Sequence, residues 1–454
     1  VKALHLTRVL AVGLAGVLGL AACAPGGGSD KPASGSSSSA AVSKDVAAAG
    51  DVTLTVWDIN SEGAGNDLQE ALNASFSKKY PNVTIKRVAR SFSDNKTTLG
   101  LALDSPDAPD VVQANQTYSD MGTFISGGLL RPLDDYADLY GWKDVFPAGQ
   151  LAINSYTQDG KSWQQGSIYG LSQTGEIVGV YYNKKLLDQA GVKVPVTLSD
   201  FDASLAKVKA AGVLPISFGN SEGWPAIHEY GIIQAAMTGA KDVRALVTST
   251  GGKWTADTNV KAAEMLQSWA ENGYLTPDSG GVAPDAARDA FTKGEAAYYI
   301  SGTWNAPNVS DALGEDAGFL ALAPDGSTTP TTTGGIGLAF AVSSACKHTD
   351  VAAAYIDWLT NADAELAQLK SGALAAVVPD DYTPAAGVQT DVIDFWKKVS
   401  EADSLAPYLD STTTTFYDTL TSNGQELIAQ RITPEQFIQA LQDDSDTYAA
   451  SKNK

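Results

Sequence analysis

Residues 52–88 constrain the fold more tightly than any other stretch. In Val52-Thr-Leu-Thr-Val-Trp57 apolar and polar residues alternate, the period of a strand with one face on a core. Leu68, Leu72, Phe76 and Tyr80 then recur every four residues, which lines one side of a helix. Pro81-Asn82 stops that helix, and Val83-Thr-Ile-Lys-Arg-Val88 alternates again. A strand, a helix and a strand in such quick succession pack as a crossover unit on a parallel sheet, so an α/β body is expected.

The same vocabulary continues along the chain. Pro109-Asp-Val-Val112, Ile168-Tyr-Gly-Leu171 and Ile177-Val-Gly-Val-Tyr-Tyr182 read as strands, and Thr197-x-x-Asp200 caps a helix through Phe201, Leu205 and Val208. Val351, Tyr355 and Trp358 form another helical stripe. Thr433-Pro434-Glu435-Gln436 combines a capping box with proline at the first helical position, ahead of Phe437, Leu441 and Tyr448. At 454 residues the chain is too long for one ordinary core, so two domains or lobes are expected.

The N-terminal residues read differently. Lys2 and Arg8 precede an apolar run, Val9 to Ala22, too short to span a bilayer and shaped like a secretory signal. It closes on Leu20-Ala-Ala-Cys23, small residues before a cysteine as in a bacterial lipobox. The expectation is a signal peptide over 1–22, lipidation of Cys23, and a disordered tether over 23–50, rich in Gly, Ser and Ala. No further transmembrane span is expected. Cys346 is then alone, and His5, His228 and His348 offer no metal-ligand spacing with it. With 31 basic against 52 acidic residues the net charge is -21, a field that repels phosphate backbones and argues against nucleic acid as a partner.

No phosphate-binding glycine loop or His-Glu-x-x-His is present, which turns the reading from catalysis toward binding. A glycoside hydrolase stays open as the alternative, because its two carboxylates need only meet in space. Amides, carboxylates and aromatics gather where α/β folds place ligands, in loops that follow strands. The clusters are Asn60-Ser61-Glu62, Gln113-Ala-Asn115-Gln116, Asn220-Ser-Glu-Gly-Trp224 and Ser301-Gly-Thr-Trp304-Asn305. That mixture suits a sugar, whose C–H face packs on an indole while its hydroxyl rim needs donors and acceptors.

Seven segments, in this order, carry a resemblance. They are Val52-Thr-Leu-Thr-Val-Trp-Asp58, Ala108-Pro-Asp-Val-Val112, Gly128-Leu-Leu-Arg-Pro-Leu133, the stretch from Ile168 to Leu187, Phe291-Thr-Lys-Gly-Glu-Ala-Ala-Tyr-Tyr-Ile-Ser-Gly-Thr-Trp304, Gly334-Gly-Ile-Gly-Leu-Ala-Phe-Ala-Val342 and Tyr355-Ile-Asp-Trp-Leu359. Together they resemble the extracellular solute-binding lipoproteins of bacterial carbohydrate ABC importers, the group that includes maltose-binding protein.

The resemblance implies a two-lobed, periplasmic-binding-protein-like α/β fold of the maltose-binding type with an interlobe hinge. It divides the chain into 51–175 plus 318–375 for one lobe and 176–317 plus 376–454 for the other. It implies a monomeric binding protein, not an enzyme, with no cofactor or metal. Such a protein would capture a carbohydrate, an oligosaccharide by resemblance, and deliver it to membrane permease subunits. Its place would be the outer face of the cytoplasmic membrane, on a Gram-positive surface to judge by the long tether. A non-sugar solute such as a peptide or polyamine is the other ligand left open. Trp304 is implied as the ring-stacking residue, Glu176 as an acid near the hinge, Ser61 and Glu62 as first-loop contacts, and Tyr417 as a late aromatic platform. Asn115, Gln116, Trp224, Asn305 and Gly335 complete the candidate ligand-binding set.

Overall fold

The computed structural model describes residues 42–452. The expected signal peptide and the lipidation at Cys23 lie outside the described residues.

Two sheets organise the body. The first orders the strands Val83–Ala89, Val52–Asp58, Val111–Ala114, Ala339–Val342 and Gly170–Ser172 side by side. Val52–Asp58 pairs parallel with Val83–Ala89 in direct register, Val52 against Val83, as the crossover pattern requires. The helix between them runs from Gly63 to Lys79 and buries Leu72 and Phe76. Phe76 meets Tyr355 edge-on at 5.3 Å, so the predicted stripes of two distant helices close one core.

The second sheet orders Leu405–Ala406, Thr332–Ile336, Gly175–Asn183, Ala296–Gly302 and Leu214–Ser217, with Ala317–Leu320 also paired to Gly175–Asn183. Its core centres on Phe201, which meets Trp269 at 5.6 Å and Tyr298 at 4.9 Å. Gly179 lets Phe319 lie across the middle strand, since a Cβ there would fall 2.3 Å from Phe319 Cζ and 2.6 Å from the Leu320 carbonyl oxygen. The helix Leu198–Ala210 carries its full capping box on Thr197 and Asp200, and Thr433 and Gln436 exchange the same pair of bonds ahead of Pro434–Lys452.

The chain passes between the sheets at Gln173–Thr174, at Gly337–Leu338 and through the segment after Lys370. These crossings hold one another: Gly337 N–H donates to the Thr174 carbonyl at 2.9 Å, Gly175 N–H to Leu374 at 3.1 Å, and Ala376 N–H to Gln173 at 3.0 Å. Glu365 lies buried beside the third crossing and accepts from Val377 N–H at 3.2 Å, while its Oε1 has no partner. Burial pushes this carboxyl up to about 8.

Two expected boundaries move. Strand pairing puts Ala317–Leu320 and Thr332–Ile336 in the second sheet, so the return to the first falls after Ile336 and not at 318. The cause is edge pairing against Gly175–Asn183, which residue pattern alone does not show. The tether also ends earlier than residue 50. Val46 is buried against the first core, the Asn82 amide donates to the Val46 and Gly50 carbonyls, and Ser43 N–H donates to Asp350. Cys346 is buried and unpaired near a strand end, as its small neighbours suggest.

Candidate functional site

A cavity of about 330 Å³ opens between the loops of the two sheets. Its floor and walls are built from residues far apart in sequence, and each is aimed by a local device.

The aromatic wall comes first. Gly223 turns with φ +79°, a conformation that side chains resist, and any Cβ there would strike Thr421 at 2.8 Å. That turn delivers Trp224 as the first residue of the helix Trp224–Thr238, with Pro225 following in the favoured early position. Trp224 Nε1–H donates to Glu222 at 2.9 Å, which fixes the ring. One helical turn on, His228 projects to the same side, 5.5 Å from the Trp224 ring. Trp304 follows the strand Ala296–Gly302, and its ring covers its own strand end: a Cβ on Gly302 would fall 1.8 Å from Trp304 Cζ3. Its indole meets Trp224 at 6.2 Å and His228 at 5.4 Å, and His228 meets Tyr408 at 5.7 Å.

The acids lie beneath that wall. Tyr408 donates its hydroxyl to Glu176 Oε2 at 3.1 Å. Burial pushes Glu176 up to about 7, against the pull of that hydrogen bond. Gly337 makes room for the carboxylate, because a Cβ there would lie 2.9 Å from Glu176 Oε1. Burial also raises Asp410, to about 6, with Lys96 opposing, and lowers His228 to about 4, so the imidazole is neutral at pH 7.

The first loop is held from below. Arg87 grips the fully buried Asp58 through Nε at 2.6 Å and Nη2 at 2.8 Å, and also donates to the Asn60 carbonyl. Gln113 Oε1 accepts from Ile59 N–H at 2.9 Å. Asn60, Ser61 and Glu62 thereby border the cavity. Asn305 borders it too, but its amide donates inward to Tyr299 and Ser301 at 3.1 and 3.0 Å.

Of the ten residues singled out in the sequence, the fold brings eight to the cavity: Ser61, Glu62, Asn115, Glu176, Trp224, Trp304, Asn305 and Tyr417. Gln116 and Gly335 are not among its lining. The Gln116 amide is spent inside the protein on Asn154 at 3.0 Å, Ser172 at 3.2 Å and the Gly337 carbonyl at 2.7 Å, tying the loop to a crossing. Gly335 sits within its strand opposite Glu176, and the glycine that shapes the floor is Gly337. Sequence reasoning missed His228, Tyr408, Asp410 and Arg288. His228 was findable, four residues after Trp224 on one helix face. Tyr408 and Asp410 follow a strand of two residues, Leu405–Ala406, which leaves no period to read.

The family model of the bacterial extracellular solute-binding proteins matches residues 60–366. The chain belongs to this family. It is a family of binding proteins and not of enzymes, which removes the glycoside hydrolase alternative. Among curated relatives of this solute-binding protein, the multiple sugar-binding protein of Streptococcus mutans is 23% identical over 294 residues, 64% of this chain and 67% of that one. An ABC transporter extracellular-binding protein of Pyrococcus horikoshii is 28% identical over 282 residues, 60% of this chain and 61% of that one. The chain thus spans about two thirds or less of these relatives' length. Among solved structures, a chitin oligosaccharide binding protein superposes with a TM-score of 0.77 at 22% identity, covering 88% of this chain and 100% of the other. The expected two-lobed, maltose-binding-protein-like fold is therefore the observed one. Among the described residues, no group of three or more His, Cys, Asp or Glu side chains is placed to hold a metal ion.

Proposed function

We propose that this protein captures a carbohydrate, an oligosaccharide, between its two lobes and hands it to the permease of an ABC importer without altering it. The observation that carries the reading is the pair of indoles, Trp224 and Trp304, meeting at 6.2 Å on the wall of a cavity whose lining also holds amides and carboxyls. An indole face accepts the C–H face of a pyranose, and the surrounding groups pair the hydroxyls that burial would strand. The relatives' names, a multiple sugar-binding protein and a chitin oligosaccharide binding protein, support the same class of ligand.

In this reading a ligand that touches both lobes favours the closed arrangement over the open one, and the three neighbouring crossings serve as the hinge. The lobes already meet at the cleft rim: Arg288 faces Glu62 at 3.5 Å, Ser93 donates to Glu222, and Phe92 lies 6.5 Å from Tyr417. Cleavage before Cys23 and lipidation of its thiol would keep the protein, as a monomer, on the outer face of a Gram-positive cell membrane.

Calorimetry across a panel of mono- and oligosaccharides tests the proposal. Half of the roughly 200 Å² that a tryptophan buries, at about 25 cal/mol per Å², gives about 2.5 kcal/mol for one stacked face. Trp304→Ala should therefore weaken the best sugar by about seventy-fold. Unchanged affinity would remove Trp304 from the site, and no heat with any sugar would end the carbohydrate reading.

A further inference from the structure

We propose that the cleft selects saccharides by charge, accepting neutral and amino-bearing sugars and rejecting those that carry a carboxylate or a phosphate. This deepens the carbohydrate reading above and rests on it.

An incoming anion would meet several carboxyls and no unengaged cation. Five carboxyl side chains line the cavity: Glu62, Glu176, Glu222, Asp285 and Asp410. Arg288 is the single guanidinium or ammonium in that lining, and it is already engaged. Its Nη1 donates to Asp285 at 2.9 Å and faces Glu62 at 3.5 Å, and its Nε and Nη2 donate to Asp289 at 3.0 and 2.9 Å. His228 adds no cation, since its buried ring is neutral at pH 7. Lys96, which is not part of the lining, is paired with Asp120 at 2.6 Å and lies 4.3 Å from the centre of the Tyr417 ring.

An anionic ligand would lose its water without gaining a cation, and would approach Glu176 and Asp410 at the floor. A hydroxyl or ammonium group meets the opposite situation. At pH 7.5, above the values of about 7 and about 6 that burial gives Glu176 and Asp410, both are mostly ionised and accept hydrogen bonds, so donors on the ligand are what the floor pairs best. The cage of Trp224, Trp304, His228 and Tyr408 is compatible with a cation as well, through the negative faces of its rings. Outside the cleft the net charge of -21 acts in the same direction, lowering the local concentration of anions.

The experiment uses pairs that share shape and differ in charge. Glucuronate and glucuronamide, galacturonate and galacturonamide, and the same pairs at the end of disaccharides are titrated into the full chain at pH 7.5 and low salt, beside glucose, galactose, glucosamine and neutral disaccharides. For any sugar skeleton that binds, the amide should bind at least about thirty-fold tighter than the acid, the scale of leaving one charge buried and unpaired in an interface. The amino sugar should fall within about threefold of the neutral one or exceed it. Glu176→Gln, Asp410→Asn and their combination, checked for folding by circular dichroism, should narrow the gap between amide and acid to under about fivefold.

An acid that binds within about threefold of its amide overturns the charge selection and leaves the carbohydrate reading standing. A gap that persists undiminished in folded variants overturns the role given to Glu176 and Asp410. Silence from every saccharide, charged or not, overturns the carbohydrate reading itself and the charge selection with it.

Discussion

Glu365 should make the stability of this protein fall as the solution becomes more alkaline. The carboxyl is 4% exposed, one oxygen accepts a backbone bond from Val377, and the other has no partner. Burial lifts it from 4.5 to about 8, so the folded chain holds this proton more tightly than the unfolded chain does. A group of that kind contributes its full stability below about pH 4.5 and loses it as the pH rises through about 8. At about 1.4 kcal/mol per pH unit the whole window amounts to about 5 kcal/mol, of which about 4 kcal/mol falls between pH 5 and pH 9. Glu365→Gln keeps the shape and removes the titration. Urea unfolding of both proteins at pH 5, 7 and 9 isolates the effect, because every other titrating group cancels in the difference. The two should match within about 1 kcal/mol at pH 5, and the variant should be more stable by about 2–4 kcal/mol at pH 9. A difference that stays flat across the three pH values would refute the reasoning.

Two further outcomes follow from the packing. Arg87→Ala strips the partner from fully buried Asp58 and should cost about 3–5 kcal/mol in urea unfolding; a loss under about 1 kcal/mol would mean that the pair does not hold the first loop. Gly179→Ala should cost about 1–3 kcal/mol, because Phe319 and the Leu320 carbonyl occupy the space of the new methyl group; a neutral result in the same assay would show that Phe319 is free to give way.

The α/β class and the crossover unit were legible because they are local. Leu72 and Phe76 repeat at helical spacing, Val52, Leu54 and Val56 at strand spacing, and both periods survive whatever the rest of the chain does. Caps such as Thr197 with Asp200 are equally local. The site was legible where polar and aromatic residues gather in loops after strands, as at Asn60-Ser61-Glu62, at Trp224 after Gly223 and at Trp304 just beyond Gly302. Gln116 failed because the direction of its amide depends on three partners, Asn154, Ser172 and Gly337, brought in by separate segments. The end of the tether failed for a similar reason: one valine, Val46, finds a place on the core and orders its neighbours, which composition averaged over the segment hides.

The contact between Gly302 and Trp304 has a consequence for how the ligand range of this protein can change. The indole rests against its own backbone, so one of its surfaces is permanently occupied and only the opposite one is free for a guest. The smallest residue of the strand therefore sets the height of the largest. A methyl group at 302 would lift the ring bodily into the space above it, shrinking the chamber while leaving every residue that borders it unchanged. Adjusting what fits would then begin beneath the platform, at a residue outside the cavity lining.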